Sequence, residues 1–430
     1  MNGRALLPCL LLLSGLACGS PDPADPDGGS VPQPDSGGSS DPDSGTSPDP
    51  DSGTMPDPDS GTSPTGFRCT TGAIFSGHPL YDSEVGARAN DGDPLAGVPG
   101  RPLLWRQVVF VGTHIVTVTG REVWASDLSA ASPTLKRIAG REGGGQALLD
   151  GPCSEARFAN LQDLVADSEG SLYVMDQTGN AILKITDPFG SSCTVHYWAG
   201  TSVDTTEITP DTPPNVGNTD GPGLSAQFAL PRSLAIDGDD NLYAYDEGNG
   251  TIRKIANDAS HTVSTLAPVQ SGSSAVIMDA MVVLGNVLYV YAHDTAGEVF
   301  LQAIDVATGA TSEILRGRAD LFGLSGSLRA GGMTTDGIDL FVYFNGGIFR
   351  VTTGGEIEHV AGDVDVRSNI EFQPGYDPAV PHPAFELQLA TVSQYTTAGA
   401  HSWLGMDEND DIYFVGHVDD PYVVRIECER

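Results

Sequence analysis

The sequence contains few basic residues. Its 430 residues include 21 Lys and Arg against 57 Asp and Glu, which gives a formal net charge of −36. Ten Asp and no Lys or Arg lie between Gly19 and Gly66. Because like charges repel and no dense basic patch occurs, nucleic acid and anionic membrane surfaces are poor partners. Divalent cations, basic proteins and neutral glycans remain compatible with this charge.

The sequence also lacks long helical patterns and common catalytic motifs. From Cys69 onward, short runs of branched and aromatic residues alternate with Gly, Asp and Asn turns, which predicts an all-β fold. Neither Gly-x-Ser-x-Gly, nor HExxH, nor a phosphate-binding Gly-rich loop is present. The sequence therefore gives no direct support for enzymatic chemistry.

Residues 1–18 are predicted to be an export signal. Arg4 precedes the apolar run Ala5 to Leu16, whose length of about 12 residues is too short to span a bilayer core of roughly 30 Å. The segment ending at Cys18 resembles a bacterial lipoprotein signal, which implies lipidation of Cys18, an exported protein and a place in the cell envelope as an outer-membrane or cell-surface lipoprotein. Gly15 departs from that pattern, which prefers a branched aliphatic residue there. The alternative is an ordinary secretory peptide.

Residues 19–66 are predicted to be a disordered acidic linker. They include three eight-residue repeats, which begin at Asp41, Asp49 and Asp57 and contain almost nothing apolar. Such a segment cannot bury enough surface to offset its chain entropy. At up to about 3.3 Å per residue it could reach on the order of 150 Å, which suits a membrane tether.

Four cysteines follow the predicted signal. An even number in an oxidising compartment indicates two disulfides, for which three pairings exist. Cys69 opens the folded region and Cys428 nearly ends the chain, whereas Cys153 and Cys193 flank one repeat. The preferred pairing is therefore Cys69 with Cys428 and Cys153 with Cys193. A zinc site is the competing interpretation, but no CxxC spacing supports it.

A long passage occurs twice in the sequence. It runs from Ala139-Gly140 to Ile185 and returns from Ala199-Gly200 to Ile255, and both copies contain Asp-Gly-Pro, Ala-x-Phe and Leu-Tyr in the same order. Such units bury their apolar faces against neighbouring units. Second-strand patterns that begin at the following residues predict six units, and hence a six-bladed β-propeller over residues 67–430: His114, Ser171, Asn241, Asn286, Asp339 and Asp411.

The last blade lacks a fourth strand before the chain ends at Arg430. Propellers often close by taking a strand from the opposite terminus, and Cys69 to Phe75 is available for this. A disulfide between Cys69 and Cys428 would then lock the ring.

The run from Asp220 to Ile255, with Ala226, Phe228 and Pro231, resembles an NHL repeat, and the run from Asp150 to Ile185 is a second copy. The resemblance covers about a quarter of the chain. It implies a six-bladed propeller, whose functions vary widely within the family. Six-bladed relatives include metal-dependent lactonases and a zinc-dependent lyase that place Asp, Asn or His ligands around the central channel.

Candidates for such ligands are few. His114, His293, His401 and His417 do not occupy matching positions in successive blades, so no metal site is assigned and no cofactor is predicted. The acidic turns Asp237 to Asn241 and Asp407 to Asp411 favour turn geometry, with weak calcium binding as the alternative. Asp176 and Asp246 are interpreted as hairpin caps, and Arg253 and Lys254 as rim residues that form salt bridges.

Two insertions are candidates for recognition, Thr201 to Thr219 and Asp363 to Thr397, because long loops on rigid scaffolds often bind partners. The predicted binding residues are the loop aromatics Phe372, Tyr376, Phe385 and Tyr395, which could stack on a sugar or contact a protein. The alternative is that they cover a blade edge. The sequence favours a non-catalytic module that binds protein or carbohydrate. The second hypothesis is a metal-dependent hydrolase or lyase with its site in the channel.

Overall fold

The structure is a computed structural model. It describes residues 67–76, 107–141, 147–200, 216–269, 276–294, 298–317, 330–344, 346–363, 381–387, 389, 403–417 and 421–430. The predicted signal peptide and linker, residues 1–66, lie outside this range, as do Cys18, His401 and most of the insertion from Asp363 to Thr397.

The described strands form six antiparallel sheets, which are the blades of a propeller. The first strand among the described residues is β1 (Arg68–Ser76). Blade 1 contains β2 (Val108–Val111), β3 (His114–Val118), β4 (Glu122–Asp127) and β5 (Lys136–Gly140). Blade 2 contains β6 (Gly151–Pro152), β7 (Leu161–Ala166), β8 (Leu172–Asp176), β9 (Ala181–Thr186) and β10 (Thr194–Ala199). Blade 3 contains β11 (Pro231–Ile236), β12 (Leu242–Asp246), β13 (Thr251–Ile255) and β14 (Val263–Pro268).

The second half of the ring follows the same order. Blade 4 contains β15 (Val276–Leu284), β16 (Val287–Asp294), β17 (Val299–Asp305) and β18 (Thr311–Gly317). Blade 5 contains β19 (Ala330–Thr335), β20 (Leu340–Phe344), β21 (Gly347–Val351) and β22 (Ile357–Ala361). Blade 6 contains β23 (His382–Pro383), β24 (Trp403–Met406), β25 (Ile412–His417) and β26 (Pro421–Glu429). Short 3₁₀ turns occur at Gly223–Ser225, Glu247–Asn249 and Ala384–Glu386.

The inner strands β2, β7, β11, β15, β19 and β24 contact one another in that order around a closed ring. Six apolar clusters lie between neighbouring blades, one at each blade interface. Each second strand of blades 2–6 places a buried Tyr in or beside these clusters, namely Tyr173, Tyr243, Tyr291, Tyr343 and Tyr413. The core is therefore distributed around the ring, as expected for a repeat fold. Within the described residues, no helix has the length and apolar character needed to cross a membrane.

The ring closes as the sequence predicts. Strand β1 pairs antiparallel with β26, so the N-terminal strand completes the last blade. A disulfide joins Cys69 to Cys428. A second disulfide joins Cys153 to Cys193, which also confirms the preferred pairing. Two disulfides are typical of proteins that fold in an oxidising compartment.

The acidic turns are stabilised by hydrogen bonds from their own loops. Asp237 Oδ1 accepts a bond from the backbone N–H of Asn241 (2.9 Å), and its Oδ2 accepts one from the hydroxyl of Tyr243 (2.8 Å). The same arrangement recurs at Asp167 with Tyr173 and at Asp407 with Tyr413. These bonds agree with the turn interpretation, and calcium binding stays an untested prediction.

The Asp residues at the ends of the second strands cap the adjoining segments. Asp176 accepts bonds from the backbone N–H groups of Ala159 (2.6 Å), Asn160 (3.0 Å) and Gly179 (2.8 Å). Its blade 3 counterpart, Asp246, accepts a bond from the N–H of Ala229 (2.7 Å). Both Asp residues are fully buried.

The expected rim position of Arg253 is wrong. Its side chain is 0% exposed and forms salt bridges to Asp246 (2.8 Å) and Asp220 (2.6 Å). The guanidinium also donates to the backbone carbonyls of Gln227 and Thr219. Strand propensity does not predict the burial of Arg253, because the hydrogen-bond acceptors of its guanidinium lie seven to thirty-four residues away in the sequence. A buried guanidinium needs such a set of acceptors.

The repeated Asp-Gly-Pro motif returns the chain to the outer edge of a blade. Gly151 pairs with Val195 of β10, and Gly221 forms an isolated bridge with Val263 of β14. Their φ angles of +112° and +135° lie in a region that favours glycine. The glycine of the motif is therefore repeated because the backbone at this point adopts a positive φ angle.

Candidate functional site

Bulges occur at corresponding places in four inner strands, on the side of the channel where these strands begin. A β-bulge leaves an extra residue unpaired with the second strand and redirects a side chain. In each of β7, β11 and β15, the residues before and after the bulge pair with the second strand of the blade, and the extra residue lies between them. The extra residues are Gln162 in β7, Arg232 in β11 and Asp279 in β15. In β19 the irregularity includes Gly331 and Gly332.

These bulges surround the polar end of the central channel, which we call the mouth. Among the described residues, its polar lining consists of Gln107, Gln162, Asp163, Arg232, Ser233 and Asp279. The cavity at the mouth has a volume of about 30 Å³. Blades 1–4 supply these polar groups, whereas Gly332 and Met333 of blade 5 and Leu404 of blade 6 form a less polar wall.

Asp163 links two inner strands at the mouth. Its Oδ2 accepts bonds from the hydroxyl of Ser233 (3.0 Å) and the backbone N–H of Leu234 (2.8 Å). Its Oδ1 accepts a bond from the N–H of Leu164 (2.8 Å). Burial raises the pKa of Asp163 to about 7, although these hydrogen bonds act in the opposite direction. A carboxyl with such a pKa can both donate and accept a proton near neutral pH.

A titratable pair lies in blade 4. His293, on β16, approaches the bulged Asp279 with 2.7 Å between Nδ1 and Oδ2. Burial alone would lower the pKa of His293, but the hydrogen bond and the charge of Asp279 outweigh burial and raise it. The imidazole therefore holds its proton more strongly than a free histidine does, and with Asp279 it forms a partly buried ion pair when protonated.

A chain of side-chain contacts connects Gln162 with Arg232 at the mouth. Gln162 donates to Gln177 Oε1 (3.1 Å), Gln177 donates to Glu247 Oε2 (3.4 Å), and Glu247 forms a salt bridge with Arg232 (3.1 Å). This chain connects blades 2 and 3 and holds the bulged Gln162 and Arg232 in place. The charge of Arg232 is balanced by Glu247, as that of protonated His293 is by Asp279.

The sequence predictions for this region have mixed outcomes. The structure places His293 against Asp279, which lines the mouth, and places His114 elsewhere, stacked on Phe189 with 3.9 Å between ring centroids. His417 lies in β25. Among the residues that the structure describes, no three His, Cys, Asp or Glu side chains are grouped as metal ligands.

The predicted loop-aromatic site is described only at Phe385. That side chain is 37% exposed and lies edge-on to His359, with 5.2 Å between ring centroids. Phe372, Tyr376 and Tyr395 lie outside the described residues, so recognition by this loop stays a prediction.

Sequence reasoning missed Gln162, Asp163, Arg232 and Asp279. A signal existed for the first three, because Gln162-Asp163 and Arg232-Ser233 place two consecutive polar residues inside otherwise apolar inner strands. Such a break in the alternation of a strand indicates a bulge. The register shift itself depends on the partner strand and cannot be read from one strand alone.

Comparison with known proteins supports the fold. The chain is similar to an auxiliary nutrient binding protein from Bacteroides thetaiotaomicron, with 12% identity, a TM-score of 0.52, and coverage of 84% of this chain and 77% of that one. It is also similar to an auxiliary nutrient binding protein from Bacteroides ovatus, with 11% identity, a TM-score of 0.53, and coverage of 85% and 78%. Identities this low show the fold alone.

No protein-family model and no curated protein matches the chain. Membership of the NHL family therefore stays a prediction, while the six-bladed propeller is established by the sheets and by these structural similarities.

Proposed function

We propose that this chain is an exported binding propeller that takes up a polar, hydroxyl-rich solute of the carbohydrate class at the mouth of its channel. The observation that carries the proposal is the convergence of Gln107, Gln162, Asp163, Arg232 and Asp279 from four different blades. Ligand sites typically combine an apolar surface with a few convergent polar groups.

The charge balance of the mouth favours a neutral ligand. Arg232 is paired with Glu247, and His293 is paired with Asp279, so the charges of these two pairs are balanced within the protein. Gln162 and Gln107 supply amide groups that both donate and accept hydrogen bonds. Sugar hydroxyls also donate and accept, and their C–H faces suit the neighbouring Met and Leu side chains of the mouth.

The two similar Bacteroides proteins are described as nutrient binding proteins. Their similarity to this chain is one of fold, and it makes a binding role for the same architecture reasonable. It does not identify the solute.

The proposal places the domain at the cell envelope. In this arrangement residues 1–18 direct export, Cys18 carries lipid, residues 19–66 form a tether, and residues 67–430 form the propeller. The net charge of −36 disfavours nucleic acid and anionic lipid as partners, so the lipid anchor would be the only link to the membrane. A protein partner at the loop aromatics is the alternative to solute binding.

The test is calorimetric titration of the purified chain with a panel of mono- and oligosaccharides. We expect one or more sugars to bind, and the affinity to fall at least tenfold in both Gln162→Ala and Arg232→Ala. A matched control is Gln302→Ala, which lies on the third strand of blade 4. Failure of every sugar to bind, or equal affinity in the mouth variants and the control, would reject the proposal.

A second candidate function is hydrolysis or elimination at the same mouth. The observation that favours it is the presence of two proton-transfer groups, Asp163 and the Asp279–His293 pair. Incubation with each bound sugar, followed by product analysis, separates the two functions. Elemental analysis before and after chelation tests the metal-dependent form of this hypothesis.

A further inference from the structure

Leu230 has a backbone conformation that leucine rarely adopts. Its φ angle is +51°, in the left-handed region that is unfavourable for most side chains. Pro231 makes this conformation less favourable still, because the residue before a proline prefers extended backbone. Among the described residues, the other non-glycine residues with a positive φ are all Asn, Asp or His, namely Asn180, Asp187, Asp240, His261 and Asp410. The conformation of Leu230 therefore needs a physical cause.

The repeat itself does not require this conformation. The corresponding residue of blade 2 is Asn160, which does not have a positive φ angle. The N–H of Asn160 donates to the cap Asp176 of its own blade (3.0 Å). The N–H of Leu230 instead donates to Oδ1 of Asn180 in the neighbouring blade (2.7 Å). The same repeat therefore forms with an ordinary backbone at this position.

Leu230 lies on the face of the propeller that contains the mouth. It directly precedes β11 and lies two residues before Arg232, which lines the mouth. Two residues span at most about 7 Å, so the Cα atoms of Leu230 and Arg232 are close neighbours. Leu230 is nevertheless 47% exposed. An apolar side chain is thus available to solvent beside the polar groups of the mouth.

Packing within the protein does not explain why the strain is retained. A residue in a sparsely populated backbone region persists only where its surroundings hold it, and such residues cluster at ligand sites. Leu230 is held by its bond to Asn180, which is fully buried. The preceding residue, Ala229, donates to the equally buried Asp246 (2.7 Å). These bonds fix an exposed apolar side chain beside the mouth, which suits contact with an apolar part of a bound solute.

We propose that Leu230 is a specificity-determining residue that contacts a methyl group of the solute at the mouth. The inference rests on the proposed function for the binding site itself. It narrows the ligand to a neutral sugar with a methyl-bearing substituent, as in an N-acetyl or a 6-deoxy sugar, in place of a fully hydroxylated hexose.

The test is calorimetric titration of the full chain with glucose and galactose, each compared with its 6-deoxy and its N-acetylamino derivative. Burial of one methyl group favours binding by about fourfold. We therefore expect at least one derivative to bind about fourfold more tightly than its parent hexose, and the derivative that does so identifies the source of the methyl group. Derivatives that all bind no more tightly than their parent hexoses would overturn the inference.

Leu230→Asn separates a ligand contact from a structural role. Asn tolerates a positive φ and is the residue at the corresponding position of blade 2. We expect the melting temperature of this variant to be unchanged or higher, while the preference for the methyl-bearing sugar is lost. The matched control is Leu224→Asn, since Leu224 is 48% exposed in the same blade and lies in the 3₁₀ turn Gly223–Ser225. The control should keep the preference.

The remaining outcomes distinguish this inference from the proposed function. A lower melting temperature and an intact preference in Leu230→Asn would make Leu230 a scaffold residue and overturn the inference. Equal loss of the preference in Leu224→Asn would overturn it too. Sugar binding that is weakened by Gln162→Ala but unaffected by Leu230→Asn would support the proposed function and reject the methyl contact, whereas failure of every sugar to bind would reject both.

Discussion

Blades 2 and 3 are alike at their turns and different at their bulges. Both use an Asp to bind a Tyr hydroxyl, through Asp167 in one and Asp237 in the other. At the bulge, blade 2 has Gln162 where blade 3 has Arg232. The repeated residues satisfy backbone groups that the fold must satisfy in every blade, whereas the bulged residues line the mouth, where the fold imposes no common requirement.

This difference indicates where function lies in a repeat protein. Residues that recur from blade to blade are accounted for by turns and caps, such as the capping carboxylates Asp176 and Asp246. Residues that differ between blades at one geometric position form the candidate site. The two classes should therefore respond differently to substitution, with stability affected in the first and ligand binding in the second.

The largest loss of stability is expected at the repeated positions. Asp246→Ala removes one partner of a fully buried ion pair and leaves Arg253 deprived of an acceptor. We expect the free energy of unfolding to fall by about 3–5 kcal/mol, as measured by denaturant titration. Asp239→Ala, at an exposed position of the same blade, is the control and should change stability by less than about 0.5 kcal/mol. Similar effects in the two variants would remove the distinction between the classes.

Ring closure gives the next effect. Replacing Cys69 and Cys428 together by Ser opens a bridge between residues separated by 359 positions, whereas the bridge from Cys153 to Cys193 spans 40. We expect a loss of about 2–4 kcal/mol for the first pair and a smaller loss for the second. Thermal unfolding of the two double variants checks the order, and the reverse order would contradict the role assigned to β1 in closing the ring.

A smaller effect, dependent on pH, is expected at the mouth. The folded pKa of Asp163 is about 7, above the value of roughly 3.9 for an unfolded Asp. Because the folded state holds this proton more tightly, Asp163 stabilises the fold at low pH, and that stability is lost as the pH rises toward 7. Relative to Asp163→Asn, the wild type should lose on the order of 2 kcal/mol between pH 5 and 8.

The comparison that checks this is the pH dependence of denaturant unfolding for the two proteins. Parallel stability curves between pH 5 and 8 would show that Asp163 is ionised throughout, and would remove it from consideration as a proton-transfer group.

The smallest loss of stability is expected at the bulges themselves. Gln162→Ala removes one side-chain hydrogen bond, to Gln177, so the free energy of unfolding should fall by less than about 1 kcal/mol. The same substitution is expected to weaken solute binding at least tenfold. A variant that loses stability as strongly as Asp246→Ala would place Gln162 among the scaffold residues instead.

Much of the fold follows from the sequence. The six second-strand patterns, the closing strand and both disulfides follow from spacing and from the position of Cys69 and Cys428 near the two ends of the folded region. The burial of Arg253 does not, because its acceptors are assembled by tertiary contacts.

The candidate site was less accessible to sequence reasoning. The bulges change the register by one residue, and a register is a property of two paired strands. His293 could be identified as a candidate, but its approach to Asp279 requires β16 to be paired with a bulged β15.

The most direct test of the central claim is a crystal structure of the protein with its best-binding sugar. The account predicts the sugar against Gln162, Arg232 and Asp279 at the mouth. A ligand bound only at the loop that contains Phe385, with the mouth empty, would contradict it.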